Sequence, residues 1–188
     1  MSDITIQHAG STITRSADSP GSSISTGKYK IIRVTPTLST DIYAGGDVAF
    51  TATEIANAVR GDGGCSKIVN AYLMDQDRDT YNINLIFTEK NTALGTINAT
   101  ADISDADMEA IGLCGFCRFK SDVAFIGGID QVRLIRWSET VADSERTSSG
   151  PILLQAESGS TSAYVSGIIS SGTPTFAAAD DIDIILHI

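Results

Sequence analysis

Residues 80–88 constrain the fold more than any other stretch of the chain. Tyr81, Ile83, Leu85 and Phe87 fall on one side of a period-two pattern, with Asn82, Asn84 and Ile86 on the other. Side chains alternate across a strand, so this is the pattern of a strand with one buried face. Just upstream, Lys67–Met74 is nearly all apolar, which predicts a strand buried on both faces. Two such runs joined by the polar residues Asp75–Asp79 predict an antiparallel hairpin.

The rest of the chain repeats the theme. Tyr29–Val34 reads as a strand stopped by Pro36, and Asp47–Thr51 as a short strand. Thr53–Arg60 predicts a helical turn, ended at once by Gly61, Gly63 and Gly64. Ser104 is placed to cap a short helix over Asp105–Ile111, with Asp107 at the capping-box position and Gly112 as the stop. Further strands are predicted at Cys114–Phe119, Asp122–Ile126, Gln131–Trp137, Pro151–Ala156, Ser162–Ile169 and Asp181–Ile188. In the last, Ile182, Ile184, Leu186 and Ile188 share one face. Thr-Pro-Thr occurs twice, at Thr35–Thr37 and Thr173–Thr175, each time followed by an apolar residue. Many short strands with turn signals between them and one short helix predict a mostly β protein, an antiparallel β-sandwich or jelly roll.

Residues 1–27 differ. They are rich in Ser, Thr and Gly, with isolated Ile4, Ile6 and Ile13, too few apolar groups to build a core. The expectation is an extended N-terminal arm over 1–27, either a floppy tail or a segment that lies along a neighbouring subunit, followed by one sandwich domain over 28–188. At 188 residues and 42% hydrophobic composition, the chain has enough apolar material for one domain with an ordinary core.

Charge narrows the partners. Thirteen Lys and Arg stand against 23 Asp and Glu, a net −10. Such a surface repels phosphates and anionic lipid, so nucleic acid and membrane are not expected partners. The apolar runs are far shorter than the ~20 residues a spanning helix needs. The first residues lack the basic start and apolar stretch of a signal peptide, and three cysteines are an odd and sparse set. Synthesis in a reducing cytoplasm is the expectation.

No motif in the chain points to catalysis, a cofactor or a metal. Cys114 and Cys117 have CxxC spacing, but the other candidate ligands (Cys65, His8 and His187) are scattered along the chain, and small buried thiols are the better reading. Asp75, Asp77 and Asp79 resemble the start of a calcium loop. Thr80 stands where that loop needs Gly and Ile86 where it needs Glu, so a solvated hairpin loop is expected. Asp102, Asp105 and Asp107 suit a helix N-terminus. Asp180, Asp181 and Asp183 read as charges that discourage pairing at a sheet edge. Neither histidine sits in a nucleophile motif, and the glycine-rich stretches lack phosphate-loop spacing. Tyr43 and Trp137 are candidate interface anchors or ordinary packing residues, and Ile4, Ile6 and Ile13 are candidate interface residues of the arm.

The stretch VTPTLSTDIYAGGDVAFTATEIANAVRGDGGCSKIVNAYLMDQD, from Val34, resembles a family of small virion proteins of tailed phages. INLIFTEKNTALGTINATADISDADMEAI and ILLQAESGSTSAYVSGIISSGTPTFAAADDIDIIL fit the same proteins, so the resemblance spans about residues 30–188. It lies in common residue types, Glu54, Ile55, Asn57, Ala58 and Val59 among them, and leaves the arm uncovered. The family is similar to capsid decoration (cement) proteins. The resemblance implies a non-enzymatic protein, made in the host cytoplasm, that binds the major capsid protein on the outer capsid surface as a dimer or trimer. The competing expectation is an adhesive module of a head or tail fibre that binds a host receptor or glycan.

Overall fold

The computed structural model describes residues 30–77, 79–120 and 151–188, together with the backbone of three strands at 4–8, 11–15 and 131–134. The strands are β1 (Ile4–His8), β2 (Ser11–Arg15), β3 (Ile31–Val34), β4 (Val48–Ile55), β5 (Cys65–Lys67), β6 (Asn70–Asp75), β7 (Asn82–Thr88), β8 (Leu113–Phe119), β9 (Gln131–Leu134), β10 (Leu153–Gln155), β11 (Ala163–Ser171) and β12 (Ile182–His187). One helix, α1 (Asp105–Ala110), lies between β7 and β8. All pairing between these named strands is antiparallel.

Two four-stranded sheets form the body, in the orders β3-β12-β6-β9 and β4-β11-β7-β8. Their eight strands run 1-8-3-6 in one sheet and 2-7-4-5 in the other, counted along the chain. The chain passes from sheet to sheet at nearly every step, which is the double Greek-key winding of a jelly roll. The mostly β expectation is therefore met, in its jelly-roll form. Two smaller pairs, β5 with β10 and β1 with β2, stand outside the main sheets.

The predicted hairpin is wrong. β6 pairs with β12 and β9, whereas β7 pairs with β11 and β8, so the linker after Asp75 carries the chain across the sandwich. The apolar patterns fit either arrangement, because each strand offers one buried face. In the jelly roll, Ala71 and Leu73 of β6 and Ile83, Leu85 and Phe87 of β7 reach the same core from opposite sheets. The run Lys67–Met74 is also two strands, not one. Ile68 N–H donates to Ile152 O and Val69 N–H to His187 O, so the chain changes partner between these residues. Beyond them β6 alternates, with Asn70, Tyr72 and Met74 half-buried.

Two further expectations fail at sharp points. Thr53–Ile55 continues β4, and Asn57 turns the chain with φ of 52°, so no helical turn forms there. β12 is an interior strand, paired on both sides by β3 and β6. Its acidic start therefore guards no edge.

One core joins the two sheets. Val34, Leu73, Ile184 and Leu186 come from one, and Phe50, Leu85, Phe119 and Val165 from the other. Full burial of such a side chain contributes about 1.5–3 kcal/mol. Phe50 lies over Gly167, where a Cβ would sit 2.3 Å from the ring, so β11 must carry glycine at that point for lack of room. A smaller cluster of Val48, Leu94 and Ile111 packs with Ile86 and Ile168, so the connection between β7 and β8 covers part of the outer face of the second sheet. The helix in that connection follows its sequence signals. Ser104 Oγ accepts from Asp107 N–H, Asp105 and Asp107 occupy the first turn, and Gly112, with φ of 64°, ends the segment.

Candidate functional site

Tyr43 is a core residue. It is 1% exposed, its ring meets Phe176 edge to face at 5.6 Å, its hydroxyl donates to Ala49 O, and the same oxygen accepts from Ser39 N–H. Burial pushes the phenol's pKa up, against the lowering effect of the Ser39 N–H. No surface of the ring is left for a partner, so the expected interface role gives way to packing. Ile4, Ile6 and Ile13 lie on β1 and β2, where Ile6 stands opposite Ile13 in register. Their side chains, and Trp137, lie outside the described residues.

The cysteines are free. Cys117 is buried in the core, and burial raises its pKa strongly. Cys114 is partly buried, with desolvation raising its pKa, while its sulfur lies within 4.0 Å of Gln155 O. Cys65 is exposed on β5. His187 packs against Tyr72 with ring centroids 5.2 Å apart. Among the described residues, no three His, Cys, Asp or Glu side chains are grouped to hold a metal ion.

Three strands, β3, β12 and β6, carry opposite chemistry at their two ends. One end gathers the two acidic clusters that the sequence keeps a hundred residues apart. Asp79 accepts from Thr175 N–H, Asp77 from Ala177 N–H and Asp181 from Ala178 N–H, so carboxylates pin the loop before β12. Asp183 accepts from the Thr35 hydroxyl and pairs with Arg33 at 3.0 Å. Desolvation raises the Asp181 pKa, partly offset by its bond to Ala178 N–H, and Asp77 and Asp180 beside it raise it further. The two Thr-Pro-Thr triplets meet here as well. Pro36 and Leu38 are buried, as are Pro174 and Phe176, and the segments are tied by Leu38 N–H to Ala179 O and Tyr43 N–H to Pro174 O.

The other end is cationic. Lys30 just before β3, Arg60 in the turn after β4, and Lys67 of β5 line a groove of about 600 Å³. Ala58, Val59, Val69 and Ile188 supply apolar lining. Lys30 Nζ donates to Asn57 O at 3.1 Å, which ties the start of β3 to that turn. Sequence reading missed this site, since the three cations are spread over nearly forty positions and no local pattern joins them.

Sequence reading also missed an apolar border. Among the described strands β8 ends its sheet, and Leu113 and Phe116 on it are 55% and 57% exposed. β10 lies against β8, where Ile152 packs over Gly115, and its Leu153 is 63% exposed. Isolated exposed apolar residues are ordinary, and large ones on two strands that lie against each other are candidates for a protein contact.

Comparison of the chain with protein-family models, with curated proteins and with solved structures returned no match.

Proposed function

We propose that this chain is a structural binding protein of a tailed-phage virion, a capsid decoration protein that grips the major capsid protein and performs no chemistry. The observation that carries the reading is the large exposed apolar side chains of Leu113 and Phe116 on β8 and Leu153 on β10, beside the packed core of the jelly roll. Jelly rolls recur among viral capsid and lectin domains. The acidic composition disfavours DNA as the partner and leaves the outer surface of a head as the compatible location. The sequence resemblance over about residues 30–188 points the same way. A patch of about 800 Å² per partner is the usual size for a specific contact. Two or three copies meeting at a local symmetry axis would multiply it.

Binding only to the assembled lattice stabilises that lattice by mass action. Particles made without this protein are expected to assemble and then release DNA at a lower temperature or under milder osmotic shock. Phe116→Asp is expected to leave the purified chain folded and abolish its addition to such particles. Equal survival with and without the protein removes the cementing role. A copy number far below that of the major capsid protein, read by gel densitometry of purified particles, would turn the reading toward a fibre component.

A further inference from the structure

We infer that the outer edge of β3 pairs with the same edge of a second copy of this chain, about a two-fold axis at Ile32, so that one continuous sheet runs through both copies. The pairing belongs to the free chain and holds whatever Leu113, Phe116 and Leu153 bind.

Hydrogen bonds fix which way each residue of β3 faces. Lys30 N–H donates to Ile188 O, and Ile188 N–H donates to Lys30 O. In an antiparallel ladder such bonded pairs fall at every second residue. By register the next are Ile32 with Leu186 and Val34 with Ile184. The backbone groups of Ile31 and Arg33 therefore point away from β12, and among the described residues no strand pairs with that side. The register of β3 on β12 runs without a bulge, so the edge is regular.

Sheet edges invite pairing, and proteins blunt them with charge, bulges or cover. The start of β4 is covered, because Val48 N–H donates to Ala99 O and Val48 O accepts from Asn98 N–H. β8 has β10 against it. β3 presents an apolar residue instead, with Ile31 66% exposed. Its exposed cation, Arg33, is matched by Asp183 at 3.0 Å.

Charge and strand geometry select a copy of the same chain as the occupant. Two molecules of net charge −10 repel each other, and least where acidic residues are fewest. Residues 30–35 hold none. A second β3 brings the same outward backbone groups, and pairing of one patch with itself about a two-fold axis is the commonest assembly geometry. With Ile32 at the axis, Ile31 of each copy exchanges both backbone bonds with the partner's Arg33. The Ile31 side chain then lies beside the aliphatic stem of that arginine. The two Lys30 residues are separated by roughly 14 Å along the ladder at about 3.4 Å per residue, beyond the ~8 Å screening length at physiological salt. An axis at Arg33 would set like charges directly opposite, which is unfavourable. An axis at Ile31 would carry Arg33 past the start of the partner's strand.

The test is sedimentation equilibrium of the full chain from about 1 µM to about 1 mM, with amide exchange measured by NMR at both ends of that range. The mass is expected to rise from that of one chain to that of two and no further. The amides of Ile31 and Arg33 should slow in exchange as it does. Ile31→Lys sets a cation opposite the partner's Arg33 in both pairs and should weaken the dimer by about tenfold. Ile31→Glu sets an anion there and should retain the dimer, which also shows that losing the isoleucine leaves the fold intact. The pairing is overturned if the mass stays that of one chain at about 1 mM or settles at three copies. It is equally overturned if Ile31 and Arg33 exchange as fast at high concentration as at low, or if Ile31→Lys associates as the native chain does. Dissociation of Ile31→Glu to the same extent as Ile31→Lys would remove the axis from Ile32 and the pairing with it.

Discussion

The two ends of β3, β12 and β6 are built from the same three strands and use charge in opposite ways. β12 is six residues long, so the ends lie roughly 17 Å apart at about 3.4 Å per residue. At the acidic end the carboxylates turn inward. Asp77, Asp79 and Asp181 hold backbone N–H groups of one loop, and Asp183 holds Thr35 and Arg33. At the basic end Lys30, Arg60 and Lys67 surround an open groove. The difference teaches that like charges gathered in one place can be built into a loop, as where backbone N–H groups bond the carboxylates of the acidic end, or line an open surface, as at the basic end.

Four substitutions probe that contrast. Asp183→Ala should have the largest effect. It removes an acceptor for a hydroxyl and for a guanidinium, and hydrogen bonds to charged groups contribute about 1.5–3 kcal/mol each. A loss of about 2 kcal/mol, read from the urea midpoint at constant slope, is expected. Tyr43→Phe comes next. It deletes the donor to Ala49 O and leaves Ser39 N–H without its acceptor, at a cost of about 1–1.5 kcal/mol by the same measurement. A neutral result for either would show that the acidic end does not depend on its inward-facing bonds.

Asp181→Asn tests the sign of a titration. The folded state raises the Asp181 pKa, so it binds the proton more tightly than the unfolded chain does. The stability this contributes is present below the ordinary carboxylate value and is lost as pH rises through the raised one. Relative to Asp181→Asn, the native chain should therefore gain stability as pH falls from about 7 to the ordinary carboxylate value of about 4. The asparagine carbonyl can still accept from Ala178 N–H, so the comparison isolates the proton. Urea midpoints of both chains at the two pH values check it, and parallel pH dependence would contradict the assignment. Lys67→Glu should have the smallest effect on folding, within about 0.5 kcal/mol, because the side chain is exposed. A large loss of stability there would place Lys67 in the fold and erase the contrast.

Much of the architecture was legible in the residues. The alternation of Tyr81, Ile83, Leu85 and Phe87 marks a half-buried strand, and all four are buried. The signals at Ser104, Asp107 and Gly112 place the short helix to within one residue. Partners were harder to read. Period-two alternation says which face of a strand is buried but not which sheet the strand joins, so β6 and β7 read equally well as a hairpin or as opposite walls of a sandwich. The same limit hid the interior position of β12, since Asp183 looks like edge protection until Arg33 and Thr35 are brought beside it. The groove was illegible for a related reason, because Lys30 meets Lys67 only through tertiary structure. Tyr43 misled by its type, as a large aromatic in a polar stretch suits an interface and a core equally.

The opposed ends of the three strands give the described part of the molecule an electric dipole directed along the sheet. A charged surface therefore exerts a torque on it before any contact forms. At low ionic strength that torque favours one orientation of approach, and added salt screens it.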